Sequence, residues 1–163
     1  MEIKVYEDKK TTSARAAAKA ISLLNKIIAK KGSATFVMAT GNSQLDFVKF
    51  LTESDDIDWS KTTMYHLDEY IGIPETHPAS FRKYLKERFL SKVNPGEVNL
   101  INGNTGNPES VCEKLNKQLQ GEEIDIAFVG IGENGHIAFN DPPADFETKK
   151  PYIIVELDQK CRR

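Results

Sequence analysis

A histidine and a carboxylate stand at the end of a glycine-rich stretch, VGIGENGHIAFNDP, residues 129–142. His136 directly follows Gly135, and Asp141 comes shortly after it. A carboxylate beside a histidine fixes the imidazole tautomer and moves its pKa, so such a pair can act as a general acid or base. Glycines let the backbone turn sharply and approach a ligand closely. We therefore expect His136 to be an acid/base group at a substrate site, with Asp141 as its assistant.

The glycines of this stretch also match the dinucleotide-binding pattern G-x-G-x-x-G, at Gly130, Gly132 and Gly135. That fingerprint requires a helix directly after the glycines, because the helix N-terminus binds the pyrophosphate. Pro142 and Pro143 remove two backbone donors and restrict the preceding residues, so any helix there would be too short. The stretch therefore predicts a loop that presents a histidine and not a nucleotide site.

Two acidic residues, Asp68 and Glu69, follow a predicted strand. Successive strand residues point to opposite faces, so one carboxylate should face the ligand crevice while its neighbour points elsewhere. One of them is a candidate general base; the alternative is that Glu69 only caps the following turn. A metal site made of His66, Asp68 and His136 would have no recognised ligand spacing, and we expect none.

A third segment, Thr40-Gly41-Asn42-Ser43, leads directly into a predicted helix. Its backbone N–H groups and the Ser43 hydroxyl could form an anion pocket, because a helix N-terminus attracts negative charge. A single phosphate fits such a pocket better than a pyrophosphate does. The alternative is that Ser43 is a plain helix cap beside a permissive glycine.

The elements that must position these groups are read from apolar spacing, which alternates between periods of two and 3.6. We predict strands at 3–5, 34–40, 62–67, 98–101, 124–129 and 152–157, and helices at 11–32, after Ser43, at 78–90 and after Pro108. This alternation indicates an α/β fold, a Rossmann-like sandwich with a mainly parallel sheet flanked by helices. We expect one domain over residues 1–163. Open parallel sheets bind ligands at the carboxyl ends of their strands, where all three segments lie.

Composition excludes several classes of protein. With 39% hydrophobic residues, 28% charged residues and a formal net charge of −2, we expect the chain to be neither disordered nor a nucleic-acid binder. Apolar runs are strand-length and no leader segment opens the chain, so we expect no membrane association. Cys112 and Cys161 form no disulfide framework, which is typical of a reducing, cytoplasmic location.

Four stretches together resemble a known family: ATGNS at 39–43, HLDEYIGIPETHPASF at 66–81, LINGN at 100–104 and VGIGENGHIAFNDP at 129–142. The combination of D-E-Y-x-G-x-x-x-x-H-P-x-S-[FY] with G-x-G-x-x-G-H-I-A-F-N is highly specific. The chain is similar to the amino-terminal and central part of the glucosamine-6-phosphate deaminase/isomerase family. The resemblance implies a fold shared with phosphogluconolactonases and ribose-phosphate isomerases. Because that family continues with further helices and strands, we expect the fold to be incomplete at its C-terminal end.

The resemblance implies aldose–ketose isomerisation and deamination of a 2-amino-2-deoxyhexose 6-phosphate, giving fructose 6-phosphate and ammonia in amino sugar catabolism. By the same resemblance Asp68 moves a proton between C2 and C1, and His136 opens the pyranose ring. Asp141 stands where the family has a glutamate that assists the histidine. Asn134 stands where some members have aspartate.

The resemblance further assigns the phosphate to Thr40, Gly41, Asn42 and Ser43, with Glu69 and Gly135 as further substrate-binding residues. It implies no metal or organic cofactor. Two other functions stay open: a 6-phosphogluconolactonase-like hydrolase, which the D-E-Y and H-I-A-F-N sequences argue against, and a sugar-phosphate-binding module without turnover. The sequence also leaves open which hexosamine phosphate binds and whether the chain forms a homo-oligomer.

Overall fold

A computed structural model describes residues 1–131, 135–139 and 144–157. Within these ranges four strands form one sheet in the order β3-β2-β1-β4, and every neighbouring pair is parallel. The strands are β1 (Ala34–Met38), β2 (Thr62–His66), β3 (Glu97–Asn99) and β4 (Ile126–Phe128). Parallel strands need crossover connections, and helices supply them here. This α/β architecture confirms the fold class predicted from the sequence.

Four α-helices flank the sheet, and side chains cap the first turns of three of them. They are α1 (Lys9–Lys31), α2 (Leu45–Thr52), α3 (Phe81–Leu85), which continues as a π-helical turn over Lys86–Leu90, and α4 (Pro108–Gln118). Short 3₁₀ turns cover Asn42–Gln44 and Trp59–Lys61. Asp8, Ser80 and Asn107 accept backbone N–H groups at the starts of α1, α3 and α4. No helix in the described part of the chain is long and apolar enough to cross a membrane.

The core lies between the sheet and its helices and is centred on β1. Phe36 is fully buried and contacts the rings of Trp59, Phe89 and Phe128, with ring centroids 5.8 to 6.1 Å apart. Edge-to-face aromatic contacts of this kind stabilise a core beyond the area that they bury. Around this cluster pack the apolar faces of α1 and α2, which contribute Ala17, Ala20, Leu24, Phe47, Val48 and Leu51. The core thereby fixes β1 and β2, whose carboxyl ends carry the candidate site.

Two predicted strands are wrong. Ile3 and Val5 lie in an irregular, exposed segment, and none of the four described strands pairs with it. Residues 152–157 are also irregular, although their β-branched composition favours a strand, since a strand forms only where a partner edge is available. The predicted helix 78–90 begins later, at Phe81, where Ser80 caps it. Apolar spacing identified the helices and the inner strands. It failed for the segments 3–5 and 152–157, because strand formation also requires a neighbouring strand to pair with.

Candidate active site

Loops from four strand ends meet at one edge of the sheet. Leu67 N–H after β2 donates to the Met38 carbonyl of β1 at 3.1 Å, and Ala39 N–H after β1 donates to the Phe128 carbonyl of β4 at 3.0 Å. The loops after β2 and β3 are joined further out, where an N–H of residue 72 donates to the carbonyl of residue 103 at 2.8 Å. The three segments singled out in the sequence therefore share the ligand-binding edge of a parallel sheet.

Asp68 follows β2 and lines a cavity of about 700 Å³. The walls are mostly apolar: β2 and β3 exits contribute Leu67 and Ile101, α4 contributes Val111 and Leu115, and the segment 148–157 closes one side. Burial, and after it the charge of the neighbouring Glu69 carboxylate, raise the pKa of Asp68 to about 7. A carboxyl group with such a pKa can accept and return a proton near neutral pH.

Glu69, the other carboxylate of the pair, is wholly engaged with the protein. Its Oε1 accepts the N–H groups of Tyr70 and Phe81, both at 3.0 Å. Its Oε2 accepts the Ser80 hydroxyl at 2.9 Å, the Arg82 N–H at 2.8 Å and the Arg82 Nε at 3.4 Å. Its side chain is 0% exposed. These contacts give Glu69 the capping role that the sequence left open. Glu69 also lines the cavity, and its role in substrate binding stays a prediction.

His136 lies in residues 135–139, the histidine loop, which packs against the loop after β2 through aromatic side chains. Ile137 in this loop forms an antiparallel bridge with Ile131. Phe139 stacks on Phe81 at a centroid distance of 5.7 Å and an angle of 13°, and contacts Tyr70 at 4.9 Å. Tyr70 belongs to the D-E-Y sequence and Phe139 to H-I-A-F-N. The two most specific motifs therefore contact each other directly.

The predicted phosphate segment forms a tight turn at the end of β1. Gly41 has φ of 103°, and its carbonyl accepts the Gln44 N–H at 3.0 Å, so a 3₁₀ turn precedes α2 and Ser43 does not cap it. The Thr40 hydroxyl is buried, and no described residue hydrogen bonds to it. A buried hydroxyl group without a hydrogen-bond partner costs folding free energy, and an oxygen of a bound anion could accept the hydrogen bond of the Thr40 hydroxyl. Lys9 Nζ also reaches the turn, 3.2 Å from the Asn42 carbonyl.

We expect Gly41→Ala to raise the KM for a sugar phosphate about tenfold or more, because φ of 103° strains any residue with a Cβ and the turn must rearrange. Steady-state kinetics and competition by inorganic phosphate measure this. Gly106→Ala is the matched control, since a Cβ there meets open space and its φ lies outside the left-handed range. Equal KM values for Gly41→Ala and Gly106→Ala would contradict a phosphate role for the turn.

The structure places the predicted site residues in different surroundings. Asp68 and Glu69 line the cavity together with Ile137 and Phe139, which follow His136 in the chain. Among the described residues, neither His136 nor the turn 40–43 lines its walls. The turn lies instead against the exit of β4, where a Cβ on Gly130 would stand 3.3 Å from Ser43 Oγ. Gly135 is exposed at the start of the histidine loop. Asn134 and Asp141 lie outside the described residues.

Sequence reasoning missed the groups that support the site. Arg82 is 7% exposed and donates to Asn102 Oδ1 at 2.7 Å, yet an arginine in a helix pattern looks like a surface residue. His66 is buried; its Nδ1 accepts the Ile101 N–H at 3.4 Å, and burial lowers its pKa to about 4, so it is a neutral structural residue. No group of three or more metal-ligating side chains occurs within the described ranges.

Comparison with known proteins places these motifs in a family. The sequence profile of the family described as glucosamine-6-phosphate isomerases/6-phosphogluconolactonase matches residues 7–161. A glucosamine-6-phosphate deaminase of Streptococcus pneumoniae is 38% identical over 128 residues, which are 78% of this chain and 54% of that relative. The chain thus spans about half the length of the curated relatives that it matches.

Solved structures agree with this placement. A monomeric glucosamine-6-phosphate deaminase superposes with a TM-score of 0.88 at 26% identity, covering 99% of this chain and 67% of that one. A 6-phosphogluconolactonase from Thermotoga maritima gives a TM-score of 0.73 at 22% identity, covering 83% of this chain and 62% of that one, a likeness of fold alone. With its motifs, its sheet and its sequence profile in agreement, the chain belongs to the glucosamine-6-phosphate isomerase/6-phosphogluconolactonase family.

Proposed function

We propose that the site converts glucosamine 6-phosphate to fructose 6-phosphate and ammonia. One observation carries the proposal: Asp68 stands at the carboxyl end of β2, in a cavity, with a pKa of about 7. Abstraction of a proton beside a carbonyl needs a single positioned carboxylate that is ionised near neutral pH. The deaminases that resemble this chain supply the substrate class.

The reaction would proceed by ring opening, transfer of a proton from C2 to C1, and hydrolysis of an imine. His136 would pass the proton of the C1 hydroxyl to the ring oxygen, which opens the pyranose to an aldehyde at C1. The Asp68 carboxylate would then take the C2 proton while a proton of the substrate ammonium group passes to the C1 oxygen, leaving an enol-amine between C1 and C2, and Asp68 would return its proton to C1. The resulting imine at C2 takes up water and releases ammonia, leaving the ketone of fructose 6-phosphate. The turn at 40–43 would hold the phosphate, and Asp141 would orient His136.

The proposed reaction takes place in the cytoplasm and involves only the protein, the sugar phosphate and water. The reaction needs no metal or organic cofactor, so a chelator should leave turnover unchanged. We assign the protein to the cytoplasm, where sugar phosphates occur and a free thiol such as that of Cys112 is stable. Scattered lysines and arginines give no basic stripe in the sequence, so nucleic acid is not a partner. Analytical ultracentrifugation measures whether the protein forms a homo-oligomer.

The test is ammonia release from glucosamine 6-phosphate by the natural protein that contains this sequence. Equal rates with galactosamine 6-phosphate would show that the C4 hydroxyl is not recognised. Hydrolysis of 6-phosphogluconolactone without ammonia release would instead favour the lactonase function. Thermal stabilisation by hexosamine 6-phosphates without any product would favour a binding module that lacks turnover.

The pKa of Asp68 predicts a pH profile. Below about pH 7 the Asp68 carboxyl is protonated and cannot accept the C2 proton, so kcat/KM should fall about tenfold per pH unit on the acid side. The rate should level off as pH rises through about 7, because the carboxylate is then fully ionised. Initial rates from pH 5 to 9 measure this. An acid limb near pH 4, typical of an ordinary aspartate, would contradict the burial of the base.

A further inference from the structure

A buried ion pair lies directly behind the proposed base. Arg82 Nε stands 3.4 Å from Glu69 Oε2, and the two side chains are 9% and 0% exposed. Removing two charges from water is costly, and hydrophobic residues of similar volume would often stabilise a fold as well. Since Glu69 is the residue next to Asp68, we look for a role of this ion pair beyond stability.

Arg82 connects the loop that carries Asp68 with the loop after β3. Its Nη1 donates to Asn102 Oδ1 at 2.7 Å, in the loop after β3, and its Nη2 donates to the Ile73 carbonyl at 3.3 Å, in the loop after β2. Asn102 and Asp68 both line the cavity. The planar guanidinium holds these acceptors in one fixed arrangement, which a flexible lysine could not reproduce.

Glu69 also acts on Asp68 through charge. Its carboxylate disfavours the ionised form of Asp68 and so raises the pKa of that group. Other titratable groups lie on the elements around the cavity: His66 on β2, Tyr70 after it, Cys112 on α4, His136 on the histidine loop, and Lys150, Tyr152 and Glu156 on the segment 144–157. After burial, Glu69 is the group that acts on Asp68.

We propose that Glu69 and Arg82 are positioning residues: Glu69 sets the pH range in which Asp68 transfers protons, and Arg82 holds the Asp68 loop in place. The inference rests on the proposed function, since it assigns a role within the same reaction. This role explains why Glu69, the second acid of the D-E-Y sequence, is buried beside Asp68.

Three variants test the proposal. Glu69→Gln and the double variant Glu69→Gln/Arg82→Gln both remove the negative charge, and the double variant leaves no unpaired buried charge. In both, the acid limb of kcat/KM should move to lower pH by about one unit, because Asp68 loses its like-charged neighbour. Arg82→Lys keeps the charge but loses the fork of donors, so kcat should fall while the acid limb stays at the wild-type pH. Circular dichroism confirms that each variant is folded.

A second measurement separates this inference from the proposed function. The pKa of the Asp68 carboxyl can be followed by carbon-13 NMR without any substrate, and it should fall in either folded variant that lacks the Glu69 charge. If the wild type releases no ammonia, the proposed function fails while this titration still decides the role of Glu69. A wild-type Asp68 pKa in the folded variants would overturn the proposal and leave the pair a purely structural contact.

Discussion

Asp68→Asn should lower the rate of ammonia release by a factor of about 10² to 10⁴, the usual contribution of a positioned general base. Asparagine has nearly the shape of aspartate but cannot accept the C2 proton, so kcat falls while the KM for glucosamine 6-phosphate changes little. Steady-state ammonia release measures both constants. Wild-type turnover in Asp68→Asn would show that another group is the base.

The same substitution should stabilise the protein at alkaline pH. Because the pKa of Asp68 is raised in the folded state, from 3.8 to about 7, the unfolded chain releases this proton more readily. The wild type therefore loses stability as pH rises from about 4 to about 7, and the neutral asparagine does not. Tm of Asp68→Asn should exceed that of the wild type at pH 8 and match it near pH 4. Asp55→Asn, at an exposed site, is the control and should change neither turnover nor Tm.

Glu69→Ala should destabilise the fold by about 3–5 kcal/mol, the range measured when one partner of a buried ion pair is removed. Alanine leaves the Arg82 guanidinium without its anion, and it leaves the Ser80 hydroxyl and three backbone N–H groups without their acceptor. Since these donors define the start of α3, the loss should be cooperative. Urea unfolding followed by circular dichroism measures the free energy of unfolding.

Glu75→Ala is the matched control for this effect. Glu75 also contacts a cation, Lys86 Nζ at 2.7 Å, but both side chains are more than 40% exposed. Exposed ion pairs contribute about 0–1 kcal/mol, so Glu75→Ala should cost far less than Glu69→Ala. Equal losses for the two variants would mean that the hydrogen bonds of Glu69 do not hold the loop after β2.

The candidate site shows where sequence reasoning succeeds and where it stops. Asp68 could be singled out because a carboxylate directly after an apolar strand falls at the ligand edge of a parallel sheet. The separate roles of Asp68 and Glu69 could not be assigned from the sequence, because they depend on Arg82 and Ser80. These two residues are 11 or more positions away, and the start of α3 brings them to Glu69. Likewise the contact of Phe139 with Tyr70 and Phe81 joins segments far apart in the chain.

The sequence by itself determined the α/β class, the inner strands, the helices and the family, because these follow from local periodicity and from motifs with little freedom to vary. Only the tertiary structure decided that the Glu69 carboxylate accepts hydrogen bonds from the start of α3, that residues 152–157 form no strand, and that Arg82 is buried. The physical reason is common to all three. Burial, strand pairing and the pKa of a carboxyl depend on neighbours that are distant in sequence, and those neighbours exist only once the chain has folded.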